Sequence, residues 1–207
     1  MEEKKLEQIE QSNETANESL ESLNFVKNSV NEMLRKKIFS FDAETNWLRW
    51  QAFAIAAVVE LPDGTKKEFV WRCPIFEEVN PWVSENVLPQ MKWIQETYES
   101  YEELLAAFSK FYLENKDQAD VIVHMWVPVE AKLFIDAHKN GNIGDWDWPF
   151  PLLDISALPD IGTSVDSYNQ KHGIEIPSFE WGTHNPLYDS YAALEAYKHL
   201  LASKKAK

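Results

Sequence analysis

From Ile38 onward, strand-length apolar runs alternate with helix-length amphipathic ones, and that order constrains the fold more than any other feature. Ile38–Phe41 reads as a short apolar strand running directly into Asp42. Ala52–Glu60 reads as a second strand, Pro62-Asp63-Gly64 supplies turn chemistry, and Lys67–Arg72 reads as a third, so a hairpin follows the first strand. Asn80-Pro81-Trp82 opens an irregular, partly helical stretch. Tyr101–Glu114 carries Leu104, Leu105, Phe108 and Phe111 on one side, as an amphipathic helix does. Ala119–Met125 is a buried-type strand, and Pro128 begins a helix through Ala137 that Asn140-Gly141 ends. Pro151–Ile155 is a last apolar strand, and a final helix starts near Pro186, a good first helical position, and runs through Leu201. This order predicts an α/β fold with a mixed sheet flanked by helices over residues 38–207.

Residues 1–37 form a separate segment, free of Gly and Pro and rich in Glu, Asn, Gln and Ser. Leu6, Ile9, Ala16, Leu20, Leu23, Val30 and Leu34 follow a three-four spacing, interrupted by Asn13 and Lys27 in the same seam. Two readings stand side by side. One is a coiled-coil helix that joins copies of the chain into a homo-oligomer, and the other is a frayed, solvated helical extension.

The single cysteine, Cys73, excludes an internal disulfide framework and a Cys-based zinc site. No apolar stretch approaches membrane-span length, and the polar, acidic N-terminus is unlike a secretory signal, so a cytoplasmic protein without a membrane partner is expected. Net charge is −14, from 20 basic and 34 acidic residues. That balance argues against a long duplex-binding surface, which needs to displace counterions from many phosphates. It leaves room for a protein that holds only a few terminal nucleotides beside cation-loaded carboxylates.

Four places hold groups that local structure would aim into one cleft. Asp42 and Glu44 lie two apart in an extended chain, so both carboxylates project to one face, and hard cations want such oxygen ligands. Alone the pair is more often a solvated loop; the apolar run before it makes it notable. His184 precedes Asp189 by five residues across a helix start at Asn185-Pro186. The aspartate would then sit in the first turns and the histidine in the loop before them. Glu130 falls in the first turn of the helix after the mid-chain strand, with Asp136 as its rival nearly two turns on. His124 reads as a core or strand-end histidine. Asp154, ending a buried strand, reads as a supporting group or a cap.

Asp42-x-Glu44-Thr45 after a first strand, an acid at the mid-chain strand-helix junction, and His184-x4-Asp189 opening the last helix together resemble the DEDDh 3′–5′ exonucleases of the ribonuclease H-like superfamily. The likeness spans roughly Ile38 to Leu201. It departs at Trp47, where the family's usual glycine is missing, and at Glu130, where the family usually carries Asp; here the chain resembles a phage and bacterial branch with Glu. The resemblance implies a ribonuclease H-like sheet and two magnesium or manganese ions held by Asp42, Glu44, Glu130 and Asp189. It also implies His184 as general base and nucleoside 5′-monophosphates released from single-stranded DNA or RNA 3′ ends. Thr45, Trp47 and Leu48, beside the carboxylates, would contact the terminal nucleotide, Trp47 by stacking; core packing is the alternative for Trp47. Two other readings share the scaffold: a catalytically silent nucleic-acid- or protein-binding module, and a phosphoesterase of small nucleotides.

Overall fold

The computed structural model describes residues 36–125, 128–162, 164–177 and 182–205. The described residues from 37 to 61 and from 65 to 205 belong to one compact unit. The N-terminal helix expected over residues 1–37 lies outside the described residues but for its last two positions.

Five strands form one mixed sheet in the order β3-β2-β1-β4-β5. They are β1 (Lys37–Thr45), β2 (Ala52–Glu60), β3 (Lys66–Arg72), β4 (Ala119–Val123) and β5 (Leu152–Asp154). β1, β2 and β3 pair antiparallel, whereas β4 runs parallel to both β1 and β5. The helices are α1 (Pro81–Asn86), α2 (Tyr101–Asn115), α3 (Val129–Lys139), α4 (Val165–His172) and α5 (Pro186–Lys205). An α/β fold with a mixed sheet between helices is what the chain adopts. Among the described residues, no helix is long and apolar enough to cross a membrane.

The alternation of β1 decides which helix meets which face. Phe39, Phe41 and Ala43 point into a core shared with α2 and α3, including Leu104, Leu105, Phe108, Tyr112, Leu133 and Phe134. Phe39 and Phe41 are wholly buried, and burying each phenyl ring stabilises the fold by about 1.5–3 kcal/mol. The phenyl rings of Phe41 and Phe134 stand edge-on at 5.5 Å, fixing α3 over β1. Ile38 faces the other core, with Ala56, Val58 and Ile122 from the sheet, Val165 and Tyr168 from α4, and Leu187, Ala192, Ala193 and Ala196 from α5.

Small residues let α5 lie close to the strands. Ser40 Oγ donates to the Ser190 carbonyl at 2.8 Å, and Ser190 Oγ bonds the Ala56 carbonyl at 3.3 Å and that of Pro186 at 2.7 Å. Asp42 and Glu44 follow Ser40 on this same face. The first turn of α5 is thereby brought against the strand end that carries them.

Two elements depart from expectation. β1 continues through both acids to Thr45, because β2 pairs with it along its whole length, from Ile38↔Glu60 to Thr45↔Ala52. The acids are inside the strand rather than beyond it. Helix α4 has no counterpart among the expected elements. Ser164 caps it, accepting from the Ser167 N–H at 3.2 Å, and Gly173 ends it in a left-handed conformation at φ 62°.

Candidate metal centre

β1 outlasts its parallel partner. Pairing with β4 stops at Ser40↔Ile122, which leaves the next stretch of the β1 edge open. Into that gap comes Glu130 from the first turn of α3, accepting a hydrogen bond from the Ala43 N–H. The Glu130 carboxylate is thereby placed beside Ala43, the residue between Asp42 and Glu44 in the strand. From the opposite face, Asp189 arrives in the first turn of α5. Asn185 caps that helix, its Oδ1 accepting from the Leu187 and Tyr188 N–H groups at 3.1 and 3.3 Å, with Pro186 as first helical residue.

One carboxylate oxygen from each of Asp42, Glu44 and Asp189 lies within 4.8 Å of the others, close enough to share one cation. Glu130 stands outside that trio, but its charge raises the carboxyls of Asp42 and Glu44. Asp136, its rival, is engaged elsewhere: Tyr101 donates to it at 2.8 Å and Lys132 pairs with it.

Burial and mutual repulsion show in the protonation of all four. Burial, then the charges of Asp189, Glu130 and Glu44, hold the Asp42 carboxyl well above its usual range, and Glu44 is raised by burial, Asp189 and Glu130. Burial lifts Glu130 to about 8 against its hydrogen bonds, and burial with the Asp166 charge lifts Asp189 to about 7. Four acids in one place, with no counter-charge acting on them among the described residues, are an unstable arrangement. An oxygen-only donor set with this much uncompensated charge fits hard divalent cations.

A measurable consequence is a stability that depends on pH and metal. Between pH 6.5 and 8.5, above the ordinary carboxylate range, the folded protein still binds protons at Glu130 and Asp189 that the unfolded chain has released. Stability of the metal-free protein must therefore fall as pH rises through this window. Each tenfold difference in proton affinity between the folded and unfolded chain is worth about 1.4 kcal/mol, and roughly 1 kcal/mol moves the melting temperature of a domain this size by about 2–4 °C. In EDTA, Tm should drop by several degrees from pH 6.5 to 8.5; in manganese the drop should vanish or reverse, since ligation needs the deprotonated forms. Calorimetry giving a flat Tm in EDTA would contradict the strained cluster.

His184 sits at the rim. Its backbone takes φ 70°, a conformation uncommon for a residue with a side chain, and its N–H donates to Asp189 Oδ2 at 3.0 Å. Its Nδ1 lies 3.9 Å from Glu44 Oε1, and burial lowers its pKa while the Asp166 charge opposes that. The ring is neutral at physiological pH, the form able to accept a proton.

The remaining expected residues are placed as follows. Thr45 ends β1 and is partly buried. Trp47 is 45% exposed, Leu48 71% and Trp50 45%, the two indoles tilted against each other at 6.4 Å. Trp47 is thus not a core residue. His124 follows β4 and its carbonyl accepts from the Ser156 N–H at 3.2 Å, as a strand-end residue. Asp154 caps the turn after β5, accepting from Ser156 N and Oγ at 3.0 and 2.7 Å, while its charge reaches Glu130.

Three contributors lie outside what the sequence pattern singles out. Asp166, on α4, supplies charge felt at Asp189 and His184. Asn46 is almost wholly buried, and Trp82 meets the His184 ring at 5.0 Å. A serine before and a glycine after α4 are legible signals; nothing in the sequence links Trp82 to His184. No protein-family model matches the chain, and no curated protein matches it.

Proposed function

We propose that this chain is a DEDDh-type 3′–5′ exonuclease on a ribonuclease H-like scaffold, acting in the cytoplasm on single-stranded DNA or RNA ends. The observation that carries the proposal is the meeting of Asp42, Glu44 and Asp189 within 4.8 Å, with the charge of Glu130 felt at Asp42 and Glu44. The antiparallel hairpin directly after the first motif, with parallel strands beyond it, supports the scaffold half of the reading.

Asp42, Glu44, Glu130 and Asp189 would hold two magnesium or manganese ions. When bound, such ions activate the attacking water and stabilise the leaving 3′ oxygen. The chain's own residues do the rest. Nδ1 of His184 faces Glu44, which leaves Nε2 to take the proton of the attacking water. Asp189, bonded to the His184 N–H, keeps that loop at the edge of the cluster. Trp47 and Leu48 expose apolar surface next to Thr45, where the terminal base can stack without regard to its identity. A net charge of −14 confines binding to a short end rather than a long duplex.

The test is digestion of 5′-labelled and 3′-labelled single-stranded DNA and RNA oligonucleotides in magnesium or manganese. A descending ladder from the 5′-labelled strand, immediate label release from the 3′-labelled one, and loss of both in EDTA are expected. Metal binding without shortening would move the reading to a silent binding module. Cleavage of mononucleotide esters alone would move it to a small-molecule phosphoesterase.

A further inference from the structure

Between β3 and α2 the chain runs through α1 and a short 3-10 turn at Leu88–Met91. Two buried asparagines, each one or two residues from a motif, hold this segment at both ends. Asn46 donates from Nδ2 to the Glu78 carbonyl at 2.9 Å and accepts from the Asn80 N–H at 2.7 Å. Asn80 passes the restraint on, its Oδ1 accepting from the Trp82 N–H at 2.9 Å as the cap of α1. Asn185, adjacent to His184, donates from Nδ2 to the Gln90 carbonyl at 2.7 Å while capping α5. Trp82, carried between these anchors, meets the His184 imidazole with ring centroids 5.0 Å apart and planes at 83°.

That contact matters because, among the described residues, little else fixes the ring. The backbone of His184 is held by its N–H bond to Asp189, but Nδ1 to Glu44 is 3.9 Å, beyond hydrogen-bond reach. An edge-on aromatic neighbour limits rotation of the imidazole about its side-chain torsions without consuming either ring nitrogen. A hydrogen-bonding neighbour would have used the nitrogen a base needs.

We propose that Trp82 is a positioning residue for His184, set in place by Asn46 through Asn80 and by Asn185. The proposal rests on reading His184 as the general base of the exonuclease. It predicts that the two motifs are coupled through the α1 segment as well as through the carboxylates. A small misplacement of a reacting group lowers rate without weakening substrate binding, so the effect belongs in kcat.

The experiment uses the full chain with Trp82→Ala, Trp82→Phe, Asn46→Ala and Asn46→Asp. The last keeps the acceptor for Asn80 and loses the donor to Glu78, should the alanine variant fold poorly. Two readouts are taken: kcat and KM on a 5′-labelled oligonucleotide, and the His184 ring signals in metal-free protein by NMR, which need no turnover. Trp82→Ala should lower kcat about 10- to 100-fold with KM held within about twofold, and Trp82→Phe should recover most of it. The Asn46 variants should move the His184 ring signals although Asn46 does not touch the ring. A raised KM at unchanged kcat in Trp82→Ala would overturn the proposal, since Trp82 would then be contacting substrate. So would wild-type His184 signals in both Asn46 variants. A wild-type chain with no turnover would count against the exonuclease reading alone, because the ring signals still decide whether the clamp holds His184.

Discussion

Asp42→Asn should leave a folded protein that no longer shortens an oligonucleotide. The amide keeps the shape of the carboxylate but carries no charge, so the cluster loses one anionic ligand while the packing of β1 between its helices is unchanged. Phe39, Phe41 and Ala43, which fasten β1 to α2 and α3, lie on the other face of the strand. Charge stabilisation by a bound cation is worth several kcal/mol, and each ~1.4 kcal/mol is tenfold in rate, so a fall of about three orders of magnitude or more is expected. The same substitution should raise the melting temperature of the metal-free protein. Burial and three neighbouring acids hold Asp42 well above its usual protonation range, and removing it relieves that repulsion for the rest. Manganese should stabilise the wild type and do much less for the variant. Activity within about tenfold of wild type, which is ~1.4 kcal/mol, would remove Asp42 from the site. A lower Tm in EDTA would show that its charge is compensated in the fold. Loss of activity with a gain in metal-free stability is a pairing that a merely misfolded variant cannot produce.

How much of this is visible in the residues alone differs between fold and site. The short apolar run Ile38–Phe41 and the apolar run after Gln51 are local signals, and the strands they predict are present. The extent of β1 is not local. Asp42 and Glu44 look like the end of a strand because acids seldom sit in buried ones. The Ala52–Glu60 partner carries the ladder past them to Thr45. Likewise α4 offers a cap and a terminal glycine but only Val165, Tyr168 and Asn169 as buried positions, too few to establish a period over 8 residues. At the site, Asp42 and Glu44 are legible as a pair because two residues in a strand share a face. That Asp189 reaches them depends on the close approach of α5 at Ser40 and Ser190, a packing outcome. The choice of Glu130 over Asp136 has the same origin. Both are acids on one helix, and only the open β1 edge draws one of them in while Tyr101 and Lys132 occupy the other. Trp82 and Asn46 lie furthest from any sequence signal, since their roles are contacts between segments with no shared pattern.

His184→Ala should separate binding from chemistry. None of the four carboxylates needs the imidazole for its place: Asp42 and Glu44 are set by β1, Glu130 by the Ala43 N–H, and Asp189 by the α5 cap. The backbone N–H that bonds Asp189 also survives the substitution. Metal affinity, read by calorimetric titration with manganese, should therefore change little. The rate should fall about 100- to 10,000-fold, the usual worth of a positioned general base. The pH profile supplies the sharper criterion. Burial lowers the His184 pKa below the ordinary histidine value, so the base form dominates above neutrality and the wild-type rate at saturating metal should be flat from about pH 7.5 upward. Without the imidazole, proton removal falls to solvent hydroxide, and the residual rate should climb with pH across that same interval. A variant as slow at pH 8.5 as at pH 7.5 would mean that the histidine serves binding or orientation and that another group takes the proton. Asp166 would be the first to consider, because its charge already reaches both Asp189 and His184 from α4.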